Sequence, residues 1–263
     1  MVKYNQIPTE DSESRLESVL TGQEFEPEAG RELQLEAAKR RVLALVGLTG
    51  CIAVLSDLET DSCYIFSGSF GETLGLGAYS EDRNSAFEHG IFDNIPADEL
   101  LERHVTDLRL FNFLKSVPLG EKTDFQAVSL IHFSRGGTSP IPVLHTTRYL
   151  ACHRNGTMWL SLCTYHPFCE AGGLHEGVII NVRTGEAVRP EKYRQYDKNL
   201  LSGRQREVLA LLAKGKSSKQ IAESLCLSIH TVNRHRQDIL AKLDVANTAA
   251  AVEIALHMHL LDA

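Results

Sequence analysis

Ser217-Ser218-Lys219-Gln220-Ile221-Ala222-Glu223-Ser224-Leu225-Cys226-Leu227-Ser228-Ile229-His230-Thr231-Val232-Asn233-Arg234-His235-Arg236-Gln237 decides how the C-terminal part of the chain folds. It opens on a serine followed three residues later by glutamine. That is the spacing of a capping box, in which each side chain bonds the other residue's backbone N–H. Ile221, Ala222 and Leu225 then share one face of a short helix. Cys226-Leu227-Ser228 reads as a tight turn. A further helix runs from Ile229 to about Leu243, with Val232, Ile239, Leu240 and Leu243 facing inward. Two helices joined by a three-residue turn, the second basic and polar on its open face, make a helix-turn-helix.

The signals on either side agree. Ser202 and Gln205 form another capping box ahead of Val208, Leu209, Leu211 and Leu212, and Gly215 closes that helix. Asn247 caps an alanine-rich fourth helix that reaches about His257. Between Leu201 and Leu243 eight lysines and arginines face three acids, a local balance of +5. The whole chain carries −7, which leaves −12 for the remainder. A basic module on an acidic chain suits a phosphate-bearing partner for that module alone.

The residues of this module resemble the LuxR-type helix-turn-helix family over about 60 residues. The matching positions are Leu201-Ser202, Arg204, Arg206-Glu207-Val208-Leu209, Gly215-Lys216-Ser217-Ser218-Lys219-Gln220-Ile221-Ala222, Leu227-Ser228, Thr231-Val232, His235 and Lys242-Leu243. The resemblance implies a four-helix module whose third helix enters the major groove of double-stranded DNA and whose fourth helix dimerises. It implies Asn233, Arg234 and Gln237 as base readers, the residue types that suit adenine and guanine edges. It assigns Ser217, Lys219, Thr231, Arg236 and Lys242 to the phosphate backbone. The chain departs from the family at Asn233, where lysine is usual, and at Thr248, where arginine is usual. The first departure leaves the target sequence open, and the second weakens a cap and a dimer contact.

Upstream, 263 residues allow about two domains. Residues 1–44 read as an acidic arm followed by a helix, in which Leu33, Ala37, Ala38, Val42, Leu45 and Val46 recur at helical spacing. Residues 45–189 mix strands and helices. Cys51–Leu55 and Ser62–Phe66 read as strands, Ser69–Leu74 and Pro96–Lys115 as helices. Ala127–Phe133, Val143–His153 and Thr157–His166 read as three antiparallel strands. Asn155-Gly156 signals a two-residue hairpin with positive φ at both residues. Gly177–Val182 and Glu186–Arg189 form a further hairpin around Thr184-Gly185. The polar stretch 190–199 reads as a linker, and 200–263 as the helical module.

The order of elements in 45–189 resembles a PAS domain, a five-stranded antiparallel sheet with helices across one face. The residues carrying the likeness are Ile52-Ala53-Val54-Leu55, Tyr64-Ile65-Phe66-Ser67, Leu74-Gly75, Ile91-Phe92, Ile95-Pro96-Ala97-Asp98 and His153 to Leu160. The combination resembles bacterial one-component PAS–LuxR regulators. The fold expected is therefore α+β, a PAS-like sheet domain followed by an all-α module, with a small-molecule ligand in the sheet domain as a candidate signal. A phosphoreceiver would need an acidic pair at the end of its first strand, where this chain has Leu55-Ser56-Asp57-Leu58. An acyl-homoserine-lactone sensor, the alternative by length, would bring several tryptophans, and this chain has Trp159 alone.

His132, His145, Cys152, His153, Cys163, His166, Cys169 and His175 crowd one region and raise zinc or haem as a question. Cys163 and His166 lie three apart on a strand and point to opposite faces, so no metal and no cofactor is expected. Cysteines scattered over a chain of this length suit packed thiols. Redox sensing by Cys152 or Cys169 would need a depressed pKa. No catalytic constellation stands out. Gly71–Gly77 and Arg135-Gly136-Gly137 lack the lysine and context of a phosphate loop. With no apolar span or secretory leader, a cytoplasmic location without membrane contact is expected. The expected protein is a dimeric transcription regulator, with RNA polymerase as a candidate partner. A helical module serving protein contact alone is the alternative from another class.

Overall fold

The computed structural model describes residues 10–27, 29–134, 139–168, 177–193, 201–243, 245, 247–257 and 260–261, with residues 10–15 and 257 described by backbone alone. Cys169, His175, Arg135-Gly136-Gly137 and positions 194–199 of the expected linker lie outside the described residues. The chain divides into two compact units, one spanning Leu16–Val188 and the other holding Arg189–Ala263.

The first unit contains α1 (Glu10–Thr21) from Leu16 onward, α2 (Arg31–Thr49), β1 (Ile52–Asp57), β2 (Ser62–Ser67), α3 (Ser69–Thr73), β3 (Tyr79–Asp82), α4 (His89–Phe92) and α5 (Ala97–Lys115). A 3-10 turn (Leu119–Asp124), β4 (Phe125–Phe133), β5 (Ile141–Cys152), β6 (Met158–Pro167) and β7 (Val178–Asn181) complete it. The strands form one antiparallel sheet in the order β3-β2-β1-β6-β5-β4-β7. The sheet therefore has seven strands where five were expected. β3 reads Tyr-Ser-Glu-Asp and is almost wholly exposed. It has no apolar alternation to announce it, and it joins through backbone pairing of Tyr64 with Glu81. The expected hairpin strand at 177–182 extends the other edge, with Ala127 opposite Ile179.

The two faces of the sheet are covered differently. β4 and β5 alternate buried and half-buried residues, the pattern of strands with one face in the core. Their odd-numbered residues face inward under α5. β1 is buried along its whole length, because α2 covers its other face through Ala38, Val42 and Val46. α2 ends at Gly50, whose φ of 71° lets its N–H turn back onto Val46 O at 2.9 Å. Leu33, expected on the inward face, is 76% exposed.

The β5–β6 hairpin also differs from expectation. Gly156 takes a φ of 88°, and Asn155 does not take a positive φ. The bonds His153 N–H to Thr157 O (2.8 Å) and Gly156 N–H to His153 O (2.9 Å) close a three-residue loop with glycine at its left-handed position. Asn155 instead accepts from the Thr157 N–H through its side chain at 2.9 Å.

The second unit holds α6 (Gly203–Ala213), α7 (Ser218–Leu225), α8 (Ile229–Leu243) and α9 (Thr248–His257). Both capping boxes form, Ser202 with Gln205 and Ser217 with Gln220. Asn247 Oδ1 accepts from the Ala250 N–H at 3.0 Å at the start of α9. Val208, Leu209, Ile221, Val232, Ile239, Leu243, Ala251 and Ile254 are buried between the four helices. Among the described residues no helix is long and apolar enough to cross a membrane.

Candidate nucleic-acid interface

The turn between α7 and α8 is built on an unusual residue. Cys226 sits at φ 52°, ψ 45°, the left-handed position glycine usually fills. The Leu227 N–H bonds Ala222 O at 2.9 Å and closes the end of α7. Ser228 then caps α8, its Oγ accepting from the Thr231 N–H at 3.0 Å. Val232, Ile239 and Leu243 anchor α8 in the core. Helical spacing therefore leaves Asn233, Arg234 and Gln237 on the open face, and all three are exposed. One turn earlier Ile229 and His230 are exposed as well. Neither was singled out from sequence, although both stand four residues before Asn233 and Arg234.

The five residues expected at phosphates fall into two groups. Lys219 and Ser217 are exposed at the start of α7, where N–H groups and the helix dipole favour an anion. Thr231, in the first turn of α8, has its hydroxyl 2.8 Å from Ser228 Oγ. Arg236, half-buried, and Lys242, exposed, instead have their head groups bonded within the module. Arg236 donates to Ser218 Oγ at 2.8 Å and to Thr248 Oγ1 at 3.1 Å. The Lys242 ammonium donates to Gln205 Oε1 at 2.9 Å, beside the first capping box. Arg204 plays a similar part that sequence did not reveal, donating to Leu225 O at 2.6 Å.

The sheet unit has its own concentration of chemistry, under α5. Arg103 and Glu88 are each 2% exposed and pair at 2.7 Å. Tyr165 donates to the same Glu88 oxygen at 2.5 Å. Arg103 Nε donates to His145 Nε2 at 3.2 Å, which fixes that nitrogen as the acceptor and leaves Nδ1–H for Ser129 Oγ, also at 3.2 Å. Burial, with Arg103 nearby, holds His145 well below the usual histidine range. Burial pushes Asp107, 3.6 Å from Arg103, up to about 6, against the pull of that cation. The buried Arg103 Nη1 has no hydrogen-bond partner among the described residues. Register joins these side chains, with His145 opposite Tyr165 and Thr147 opposite Cys163.

Among the described residues the Cys/His region does not gather. Cys163 is buried against Arg103 and Thr147, its thiol pushed up by burial and by Glu88. His166 is half-buried on the other face. His132 pairs with Glu99 at 2.9 Å, and His153 lies 3.4 Å from Glu59. Burial raises the Cys152 thiol too, the opposite of what a redox sensor needs. Asp57, considered above only as the end of a first strand, is fully buried. It accepts from Trp159 Nε1 at 2.8 Å and pairs with Arg31 at 2.6 Å.

Residues 199–255 match the family described as bacterial regulatory proteins, luxR family. Over 63 residues the chain is 46% identical to the oxygen regulatory protein NreC of Staphylococcus haemolyticus (strain JCSC1435), covering 24% of this chain and 29% of that protein. Over 62 residues it is 42% identical to the transcriptional regulatory protein LiaR of Bacillus subtilis (strain 168), with the same shares of 24% and 29%. The chain thus spans less than a third of the length of these curated relatives. A structure of the Vibrio cholerae VqmA dimer in the absence of target DNA aligns over 82% of this chain and 86% of that one, at 17% identity and a TM-score of 0.32. The C-terminal module is a luxR-family helix-turn-helix domain.

Proposed function

We propose that this chain is a sequence-specific DNA-binding transcription regulator that reads a two-fold site as a dimer. The observation that carries the reading is the open face of α8. A helix fixed to the core by Val232, Ile239 and Leu243 presents Asn233, Arg234 and Gln237 outward, within the segment that matches the luxR family. Amide and guanidinium side chains at this spacing suit adenine and guanine edges in the major groove. Ser217, Lys219 and Thr231 supply the phosphate contacts nearest to that face. Arg236 and Lys242 contribute mainly by holding α8 in place, through Ser218, Thr248 and Gln205. The full chain, used to select from a random duplex library, enriches a palindromic site. Enrichment of no sequence, with retention that vanishes at moderate salt, contradicts the reading.

The Leu16–Val188 unit is read as a PAS-like sensor. Its five central strands, in the order β2-β1-β6-β5-β4, support this, as do the helices α3 to α5 inserted between β2 and β4. β3 and β7 are additions at the two edges. The polar cluster around Arg103 gives the inner face of the sheet the means to recognise a hydrogen-bonding ligand. A signal bound better in one conformation would shift DNA affinity by linkage. Native mass spectrometry of the freshly purified chain tests for such a ligand.

A further inference from the structure

The large apolar side chains of α8 lie where packing puts them, with one exception. Val232, Ile239 and Leu243 are buried in the four-helix core, and Leu240 is half-buried. Ile229, the first residue of the helix, is 48% exposed. At about 100° per residue, Ile229 stands about 40° from Asn233 around the helix axis, and His230 lies between Gln237 and Arg234. The exposed residues from 229 to 237 are Ile229, His230, Asn233, Arg234 and Gln237. All but Ile229 can hydrogen-bond a base edge, and Ile229 offers apolar surface alone. Helical side chains lean toward the N-terminus, so Ile229 projects at the leading end of α8.

We propose, resting on the DNA-binding reading of α8, that Ile229 is a specificity-determining residue that packs on the 5-methyl group of a thymine. In the major groove the thymine methyl is the apolar feature among base-edge donors and acceptors, and an apolar side chain is its complement. A lone exposed isoleucine on an indifferent surface needs no explanation. This one stands at the end of the helix whose first residues meet base edges, so docking strips water from it in any case. Set against the amino group of cytosine or adenine, it would leave a desolvated donor unpaired. Set against thymine, it buries a methyl group. Ile229 thus selects by what it accepts and by what it refuses.

Asn233 fixes where that thymine stands. Four residues along α8 advance the backbone by about 6 Å, at 1.5 Å each. Neighbouring base pairs are about 3.4 Å apart. The thymine beside Ile229 therefore lies within about two base pairs of the base that Asn233 reads.

Fluorescence anisotropy of the full chain on the selected duplex, with each thymine replaced in turn by deoxyuridine, tests this, because the exchange removes the methyl group alone. One thymine near the Asn233 position should account for about fourfold in affinity per half-site, and about fifteenfold when both half-sites are changed, the worth of one buried methyl each. Ile229→Ala should bind the thymine and deoxyuridine duplexes alike at that position, with thermal melting unchanged. Ile229→Val should keep part of the preference. Asn233→Ala should relax the base preference within about two base pairs of the same thymine. A wild type that prefers the selected duplex yet tolerates deoxyuridine throughout overturns the assignment and leaves the DNA-binding reading standing. So does Ile229→Ala with the wild-type preference for the methyl group intact. A responsive thymine farther than that from the Asn233 position overturns the placement. A wild type with no preference for the selected duplex overturns the DNA-binding reading itself, and the assignment with it.

Discussion

Arg236 joins Thr248 across 3.1 Å and Ser218 across 2.8 Å, so one side chain of α8 grips α7 and the first residue of α9. Thr248 stands where the family usually has arginine, and a hydroxyl there is an acceptor for Arg236, which a second cation would not be. The orientation of the exposed face of α8 thus depends on a bond formed on its shielded side.

Arg236→Ala is expected to destabilise the helical module by about 2 kcal/mol, because a charged donor and two hydroxyl partners are lost together. Thr248→Ala, which removes one of the two bonds, should cost about 1 kcal/mol. Thermal melting followed by circular dichroism measures both, and equal costs would show that the Ser218 bond contributes nothing.

Cys226→Gly should stabilise the module by about 0.5–1 kcal/mol. It relieves a left-handed backbone at an exposed position, less the entropy glycine adds to the unfolded chain. Cys226→Val should do the opposite, since branching at Cβ makes that backbone conformation harder. The same melts decide between these signs.

Breaking the buried Arg103–Glu88 pair from one side is expected to cost about 3–5 kcal/mol, since Glu88 alone is a buried charge without a cation and Arg103 alone keeps only Asp107, at 3.6 Å. Arg103→Met with Glu88→Met should recover much of that loss. Trp159 is the single tryptophan and lies in the sheet unit, so urea unfolding followed by its fluorescence reports on that unit specifically. A double variant as unstable as the sum of the singles would show that the two side chains do not act as a pair.

Asp107 gives the sheet unit a pH dependence of definite sign. Its folded pKa is raised, from 3.8 to about 6, so the folded state holds the proton more tightly. The stability it contributes is full below pH 3.8 and is lost as pH rises through about 6. His104 and His145, held below their usual range by burial, act in the opposite sense as pH falls below 6.5. Comparison with Asp107→Asn isolates the carboxyl. The variant should gain about 3 kcal/mol relative to wild type between pH 3.5 and pH 7.5. A constant difference across that range contradicts the assignment.

What was legible in the sequence was local. Ser202–Gln205, Ser217–Gln220 and Asn247 announce helix starts because each cap is a bond to backbone within three residues. β4 and β5 announce themselves by alternation. β3 does not, since an exposed edge strand joins through backbone groups that no side chain signals. The Arg103 cluster was hidden because Glu88, Arg103, His145, Cys163 and Tyr165 meet only through strand register and the path of α5. Leu33 was misplaced because α2 has apolar residues on opposite faces, and periodicity alone does not say which face the sheet takes. Arg236 and Lys242 read as phosphate contacts by position, and their internal partners Thr248 and Gln205 became visible only in three dimensions.

In the proposed reading the exposed face of α8 contacts bases while the start of α7 holds phosphate. Fluorescence anisotropy on the selected duplex and on an unrelated one, over a series of salt concentrations, tests it with two variants. Arg234→Ala should lose about 1–3 kcal/mol on the selected duplex and little on the unrelated one. Lys219→Ala should weaken both alike and lower the slope of log affinity against log salt by about 1. Two variants that bind both duplexes like the wild type, at every salt concentration, would contradict the account.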